Sequence, residues 1–341
     1  MGGNLFKDKV SIARLTAEDY FDYTASLLHW LRLEFGIEFC LIPSYNKKPS
    51  FGDVDIIYSD AHVRSIIVDE LIKADIDKEL INVNTDDVSF VDKYINGDGK
   101  WLNIQVDLKY VPPEHFITAY DYFAFNDLGN LRGRIAHMLG LKLGHEGLIY
   151  VHNEESRAVF EICLSKDTFA IDKFLGFDEA TTDKFYRWGG PDTLEEIFEY
   201  IESSKYFNPD IFLLHNRNHR SRVRDAKRKT YMEFLEWCQK LPSKDYFPKP
   251  ESKTEYQMKA IEYFGKQNEF CLKMDEFTSN KAYKQLLNGN IIMELSGLTG
   301  KELGAEMAKL REIFPKERVL SMEPNELKGI LEGMYSAREA N

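Results

Sequence analysis

Two segments between positions 39 and 111 alternate apolar and polar residues with the period of two that is typical of β-strands. Residues 53–58 read Asp-Val-Asp-Ile-Ile-Tyr, so Val54 and Ile56 face one side and Asp53 and Asp55 face the other. A second segment alternates in the same way until it meets two prolines. Its apolar positions are Leu102, Ile104, Val106 and Leu108, and its polar positions are Asn103, Gln105, Asp107 and Lys109. We predict two strands, each with one buried face.

Capped helical segments surround these strands. Thr16 precedes acidic residues and a helical apolar repeat over residues 17–35, and Gly36 follows the repeat. Asp60 stands in the same capping position before a second helical segment at residues 61–73. We expect both helices to back the sheet.

A hairpin is predicted to lead into the second strand. Residues 88–94 have the apolar and aromatic content of a strand, and Asn-Gly-Asp-Gly at 96–99 favours a tight turn. A third helix is expected to begin near Asp127, with Asn130 and Arg134 on one of its faces. That face is either a polar helix surface or part of a binding site.

The second half of the chain has a helical pattern. A last hairpin is expected over residues 148–163, and the apolar spacing beyond it is helical. A long amphipathic stretch covers residues 252–287, with a break expected near Gly265. The 341 residues suit two domains. We predict an α+β protein with a small mixed-sheet domain at residues 1–165 and an all-helical domain at residues 166–341.

Net charge, cysteine spacing and the absence of long apolar runs limit the kinds of protein that this sequence can be. The formal net charge is −12, which confines any nucleic-acid contact to local patches. The cysteines lack Cys-x-x-Cys spacing, so we expect reduced core thiols at Cys40, Cys163, Cys238 and Cys271. The sequence has neither an apolar run of transmembrane length nor a signal-peptide core. These features predict a soluble cytoplasmic enzyme with no membrane partner.

Three aspartates carry the candidate chemistry. Asp53 and Asp55 project to the same side of their strand, and Asp107 joins them if the two strands are neighbours. Ionised carboxylates held together repel one another unless a cation lies between them. Mg²⁺ prefers carboxylate and water oxygens, and substrate phosphates often complete its shell. The alternative is a solvated polar face on an edge strand.

Four segments, in order, resemble the polymerase-beta-type nucleotidyltransferase superfamily. Residues 44–55 contain a serine, a loop and then Asp-Val-Asp. Residues 106–116 resemble the third-aspartate strand and Pro-Pro-Glu-x-Phe helix start of family X DNA polymerases, and residues 119–134 resemble their Tyr-Phe segment and helix. Residues 140–148 are similar to that family's closing turn. The resemblance covers residues 38–150 and implies a nucleotidyltransferase palm.

The resemblance also implies roles for individual residues. Asp53, Asp55 and Asp107 would be the catalytic ligands of two Mg²⁺ ions, with Mn²⁺ as an alternative, for in-line nucleotidyl transfer. The implied nucleotide contacts are Ser44 at the triphosphate, Tyr122 and Phe123 at the sugar, Asn130 at the base and Arg134 on the template side.

The sequence departs from this family at three places. The glycine expected before Ser44 is Pro43, and the arginine expected in the loop is absent, with Lys47 and Lys48 as substitutes for nucleotide binding. Residues 124–125 are Ala-Phe where the family has Thr-Gly, which leaves the choice between ribose and deoxyribose open.

One basic cluster is conspicuous in the acidic chain. At helical spacing its residues align on one face, which suits contact with a nucleic-acid backbone or a triphosphate. The nucleic-acid-binding candidates are Arg217, Arg220, Arg224, Lys227 and Arg228. The residues expected on the opposite, buried side are Val223, Tyr231, Phe234 and Leu235. The alternative is a solvated face that pairs with nearby acids.

A short segment near the end of the chain adds a second resemblance. Residues 297–304 resemble the C-terminal turn and helix of bacterial CCA-adding and poly(A) polymerase-type enzymes. A structural helix-turn-helix is the alternative interpretation.

Together these features predict a pyrophosphate-releasing nucleotidyltransferase. It would add a nucleoside monophosphate from a nucleoside triphosphate to a nucleic-acid 3′-hydroxyl, with an RNA or tRNA 3′ end favoured over DNA. The alternatives are a family X-like DNA polymerase, a nucleotidyltransferase that modifies a protein or small molecule, and an inactive palm that serves as a binding module.

Overall fold

The first part of the chain folds around a mixed β-sheet, with helices before and after the sheet in sequence. The structure, a computed structural model, describes residues 5–85, 87–323 and 325–339. Its strands are β1 (Leu15–Thr16), β2 (Phe39–Leu41), β3 (Ser50–Phe51), β4 (Val54–Tyr58), β5 (Ile81–Asn84), β6 (Asp87–Ile95), β7 (Trp101–Tyr110), β8 (Leu141–Gly144), β9 (Gly147–Glu154) and β10 (Arg157–Ser165). The mixed sheet and the many helices confirm the predicted α+β class.

The main sheet has five strands in the order β2-β4-β7-β6-β5. The central pair β4 and β7 runs parallel, whereas the other neighbours are antiparallel. Strands β1 and β3 form a separate two-stranded sheet, and β8, β9 and β10 form a three-stranded sheet. The strand that carries Asp55 and the strand that carries Asp107 are neighbours, which is the condition for the three aspartates to meet.

Helices account for most of the remaining chain. The helices before residue 265 are α1 (Ala17–Phe35), α2 (Ala61–Lys73), α3 (Phe116–Phe123), α4 (Leu128–Met138), α5 (Thr168–Phe174), α6 (Glu179–Arg187), α7 (Leu194–Glu202), α8 (His219–Asp225), α9 (Lys229–Cys238) and α10 (Thr254–Tyr263). The later ones are α11 (Gln267–Leu286), α12 (Gly289–Ser296), α13 (Gly300–Ile313), α14 (Lys316–Leu320) and α15 (Glu326–Glu339). Short 3-10 helices cover Lys78–Leu80, Pro113–His115, Pro209–Phe212 and Leu214–Asn216.

Local capping fixes the two helices that back the sheet. The Thr16 side chain accepts a hydrogen bond from the Asp19 amide at the start of α1, and Gly36 ends that helix with a φ of 66°. The Asp60 side chain accepts from the Val63 amide at the start of α2. Both predicted helices are confirmed. Their capping signals lie within a few residues in sequence, which made the two helices predictable.

Both faces of the main sheet are covered, but unequally. Val54 and Ile56 of β4 lie in a large core with Leu27 of α1 and Ile67 of α2. On the opposite face Ile57 packs beside α3 in a smaller cluster. Because α3 covers only part of this second face, the polar positions at the start of β4 remain open.

Contacts divide the chain into two compact units. The first comprises residues 1–151 and 163–264, and the second comprises residues 152–162 and 265–341. In the second unit, helices α11 to α15 build their own apolar core, with Leu310 and Leu331 almost fully buried. The predicted domain boundary after residue 165 differs from this division by contacts, and it stays a prediction.

The break at Gly265, the cysteines and the lengths of the helices can each be compared with the predictions from the sequence. The predicted break at Gly265 is confirmed, because this residue has a φ of 66° between α10 and α11. All four cysteines are free, but Cys271 is exposed and the other three are half-buried, so the expectation of core thiols is wrong for Cys271. None of the described helices is both long and apolar enough to cross a bilayer.

Candidate metal centre

Three carboxylates meet where β4 and β7 lie side by side. Asp55 is directly opposite Asp107 in the parallel register, and Asp53 immediately precedes β4. One carboxylate oxygen of each of the three residues lies within 4.8 Å of the others. Carboxylate oxygens at this spacing are a donor set that fits a divalent cation such as Mg²⁺. The predicted grouping of Asp53, Asp55 and Asp107 is therefore present.

The Asp55 carboxylate resists ionisation. Burial and then the charges of Asp53 and Asp107 raise the pKa of Asp55 to about 8. The Asp55 side chain nevertheless meets solvent in the open cleft. Repulsion between the three carboxylates therefore contributes more than burial to this rise. A bound divalent cation would relieve that repulsion.

Neighbouring polar side chains hold Asp107 in place. The Gln105 Nε2 atom donates to both Asp107 carboxylate oxygens, at 3.1 and 2.9 Å. The Gln105 Oε1 atom accepts in turn from the Leu5 amide at 3.1 Å. Burial raises the pKa of Asp107, whereas the hydrogen bonds from Ser89 and Gln105 oppose the rise. Asp107 is thus oriented before any ligand binds.

The aspartates form the floor of an open cleft with two lobes. The first lobe has a volume of about 450 Å³ and is lined by Asp55, Asp107, Tyr122, Phe123 and Asn130, among others. The second has a volume of about 630 Å³ and is lined by Asp53, Asp55, Ser44 and Lys48, among others. Because Asp55 lines both lobes, a molecule that fills them would pass directly over the carboxylates.

The loop that carries Ser44 is anchored by a strained turn. Phe125 and Asn126 have φ values of 59° and 64°, although neither is glycine. The Phe125 amide donates to the Pro43 carbonyl at 2.8 Å, and the Ser44 hydroxyl donates to Asn126 Oδ1 at 2.7 Å. Such strain between α3 and α4 is typical of functional sites, where the surroundings maintain it.

The two loop lysines have different surroundings. Lys48 lines the second lobe with its Nζ atom 4.5 Å from the centre of the Phe51 ring. Burial lowers the pKa of Lys48, although the charges of Asp53 and Asp55 act in the opposite direction. Lys47 instead points to Asp192, 3.9 Å away, and does not line the lobes. The structure thus brings Lys48, but not Lys47, to the candidate site.

The residues predicted to contact the sugar and the base line the first lobe. Tyr122 and Phe123 end α3 beside Asp107. Asn130 Oδ1 accepts a hydrogen bond from Arg224 at 3.3 Å. The Asn130 Nδ2 atom is buried and has no hydrogen-bond partner within the described part of the chain. A buried donor of this kind is costly unless a ligand or water satisfies it.

Arg134 lies in an adjoining cavity rather than over the carboxylates. That cavity has a volume of about 370 Å³ and is also lined by Asn130, Arg217 and Arg224. The Arg134 guanidinium donates to the Ile211 carbonyl at 3.2 and 2.6 Å. Burial and the charge of Arg217 lower the pKa of Arg134 to about 10. Arg134 is therefore already engaged by the protein.

The basic cluster is not a continuous stripe. Helix α8 contains only residues 219–225, and Arg217 precedes it with a side chain that is 6% exposed. Its guanidinium is bonded to the fully buried Asp225 at 2.5 and 2.8 Å. Arg217 thus forms a structural ion pair with Asp225. The prediction that it belongs to the nucleic-acid-binding face is therefore wrong. Val223, expected in the core, is 44% exposed, so that prediction is wrong too.

The other members of the cluster surround the second lobe. Arg220, Arg224, Lys227 and Arg228 line this lobe, as Asp53 and Asp55 do. Arg224 is bonded to Asp225 at 3.0 Å, and Arg228 is paired with Asp127. The prediction that Tyr231, Phe234 and Leu235 are buried is confirmed.

Three residues that line the cleft were not predicted from the sequence to lie at a functional site. Tyr20 lines the second lobe from α1, where its spacing indicated only a core residue. Burial and the charges of Asp55 and Asp53 raise the pKa of its hydroxyl. Asn126 and Asp127 line both lobes from the turn before α4. Asparagine tolerates a left-handed backbone, and this is the one local hint at position 126.

Comparison with known proteins adds no further assignment. No protein-family model matches the chain, and no curated protein matches it.

Proposed function

We propose that this protein is a metal-dependent nucleotidyltransferase with a polymerase-beta-like palm. It transfers a nucleoside monophosphate from a nucleoside triphosphate to a hydroxyl group and releases pyrophosphate. One observation carries the proposal: Asp53, Asp55 and Asp107 converge from adjacent parallel strands with carboxylate oxygens within 4.8 Å. Three carboxylates at this spacing suit two Mg²⁺ ions, with Mn²⁺ as a substitute.

The side chains around the carboxylates support this chemistry. The metal ions would activate the attacking hydroxyl and neutralise the leaving pyrophosphate. Gln105 holds Asp107 in a fixed orientation, which favours an ordered metal shell. Tyr122 and Phe123 offer aromatic surfaces for the sugar and base beside the aspartates. The unsatisfied Asn130 Nδ2 donor suits an acceptor atom on a nucleobase.

We favour the 3′ end of an RNA, including a tRNA, as the acceptor. The net charge of −12 disfavours wrapping by a long duplex. The cationic side chains near the site are confined to the walls of a cleft. A short single-stranded end can enter such a cleft without contact along a large basic surface.

A transfer assay tests the proposal directly. The protein is incubated with each of the four labelled nucleoside triphosphates, Mg²⁺ and RNA, DNA or protein acceptors. We expect labelled RNA from the wild type, and a loss of at least about 10³-fold in Asp53→Asn and Asp107→Asn, because each variant removes a metal ligand. Asp98→Asn, an exposed aspartate in the turn between β6 and β7, is the matched control and should retain activity.

The pattern of labelling separates the proposal from its alternatives. Label on DNA alone would favour a DNA polymerase. Label on protein or a small molecule alone would keep the transferase and reject the nucleic-acid acceptor. If no acceptor is labelled and both aspartate variants behave as wild type in nucleic-acid binding, the domain is a binding module and the proposed enzyme is refuted.

A further inference from the structure

A cationic wall lines the second lobe of the cleft, together with Asp53 and Asp55. It is formed by α8, the turn after it and the start of α9. The cationic side chains of this wall are Arg220, Arg224, Lys227, Arg228 and Lys229. A chain with net charge −12 concentrates positive charge at this point, which fits an anion that carries several negative charges.

The charges of the wall are satisfied to different degrees. Arg228 is paired with Asp127, and Arg224 is hydrogen-bonded to side chains of α8 and α4. Within the described residues, no carboxylate lies within ion-pair distance of Arg220 or Lys227. The positive charges of Arg220 and Lys227 are therefore available to a negatively charged ligand.

The shape of the wall argues for a compact anion rather than an extended backbone. Arg217, which would extend the basic surface, is turned inward and bonded to Asp225. The remaining cations line a lobe of about 630 Å³ that also contains Asp53 and Ser44. An extended nucleic-acid strand needs a track of phosphate contacts, whereas a polyphosphate chain fits within one such lobe.

The pairing of Arg228 with Asp127 is suited to exchange. The Arg228 side chain is 40% exposed, so a ligand in the lobe can reach it. Asp127 lies at the N-terminus of α4, and its side chain makes no capping hydrogen bond there. The helix dipole favours a negative charge at this end. Asp127 is itself buried, so this helix N-terminus is what would stabilise its charge once Arg228 turns to a ligand.

We infer that Arg228, with Arg220 and Lys227, binds the terminal phosphates of a nucleoside triphosphate, and that Arg228 exchanges Asp127 for phosphate when this ligand enters. The identity of the ligand as a nucleotide rests on the proposed function. The recognition of phosphate rests on the wall alone. Asp127 holds Arg228 and competes with the ligand for it.

Calorimetric titration with inorganic tripolyphosphate and Mg²⁺ tests the exchange. Arg228→Gln should weaken binding by roughly tenfold or more, the effect expected for a hydrogen bond between charged groups. Asp127→Asn should tighten binding by up to about fivefold, because it removes a partly exposed competing ion pair. The double variant should bind like Arg228→Gln alone. Arg222→Gln, on the same helix but outside the cleft, should match the wild type.

The outcomes decide between phosphate exchange and a structural ion pair. Melting temperatures of all variants establish that they are folded. Wild-type affinity in Arg228→Gln, or weakened binding in Asp127→Asn equal to that in Arg228→Gln, would overturn the inference. So would a single-stranded RNA without a triphosphate that shows the same dependence on Arg228, because the wall would then bind a backbone.

The inference and the proposed function fail in different ways. If tripolyphosphate binds in the expected pattern but no acceptor is labelled, the enzyme proposal fails and the phosphate site stands. If transfer occurs and Arg228→Gln leaves the KM for the nucleoside triphosphate unchanged, the function stands and the role of Arg228 is refuted.

Discussion

Replacing Asp55 with asparagine should stabilise the metal-free protein and abolish its affinity for Mg²⁺. Asparagine keeps the shape of the side chain and removes one of three charges. The carboxylate oxygens lie within 4.8 Å of one another. At that distance a pair of full charges repels by roughly 3.5 kcal/mol with an effective dielectric constant of about 20.

The net gain is smaller than this repulsion. Asp55 meets solvent, and Lys48 and Lys109 oppose the rise in its pKa. Screening at an exposed site reduces the effect, so we expect a gain of roughly 2 kcal/mol in the free energy of unfolding above pH 8, where Asp55 is ionised. This corresponds to a rise of about 4–8 °C in melting temperature for a domain of this size.

The gain in unfolding free energy from Asp55→Asn should depend on pH. The folded pKa of Asp55, raised to about 8, lies above the ordinary value of 3.8. The folded state therefore binds more protons than the unfolded state between these values, and stability falls as pH rises through the window. Asp55→Asn should remove this part of the slope, so its advantage over the wild type should be larger at pH 8.5 than at pH 6.

Urea denaturation in EDTA at both pH values measures the effect. Melting curves with and without Mg²⁺ measure the loss of metal binding, because a ligand of the folded state raises the melting temperature. Asp98→Asn should change neither quantity. If Asp55→Asn destabilises the metal-free protein, or retains the Mg²⁺-dependent rise, the carboxylates do not form a strained metal site.

Three further predictions concern the rest of the first unit and Cys271. Asp172→Asn should cost about 3–5 kcal/mol of unfolding free energy in urea titrations, because it leaves the fully buried Arg132 without its ion-pair partner; a loss below about 1 kcal/mol would contradict this. Burial and neighbouring positive charges lower the pKa of His137 to about 4, so folding stability should fall as pH drops from 6.5 to 4, and His137→Gln should flatten that slope. Cys271 is exposed, whereas burial raises the pKa of Cys238 to about 12. A thiol reagent followed by mass spectrometry should therefore label Cys271 first, and faster labelling of Cys238 would refute the packing around it.

Local signals in the sequence were enough for the first two helices and the central strands. The caps at Thr16 and Asp60 are hydrogen bonds to amides three residues away, so their effect depends on little else. The alternation around Asp55 and Asp107 fixes which side chains share a face. Strong apolar flanks then favour burial of both strands, and their parallel pairing places the carboxylates together.

The basic cluster shows where local reasoning fails. Helical spacing aligns Arg217 with Arg224 only if one helix contains both, and α8 begins after Arg217. Arg217 also forms an ion pair with the buried Asp225, and the helical spacing of the sequence does not predict this pair. Val223 is exposed for a related reason: α8 presents it to the cleft rather than to the core. Such outcomes depend on contacts between residues that are distant in sequence.

The parallel pairing of β4 with β7 has a consequence for how this site comes into being. Parallel neighbours cannot be joined by a tight turn, and here α2, β5 and β6 intervene along the chain. The loop between Asp55 and Asp107 must close before their carboxylates meet, and closure of this kind slows folding. Metal affinity should therefore appear only after β4 and β7 have paired, so a divalent ion can report that this pairing is complete.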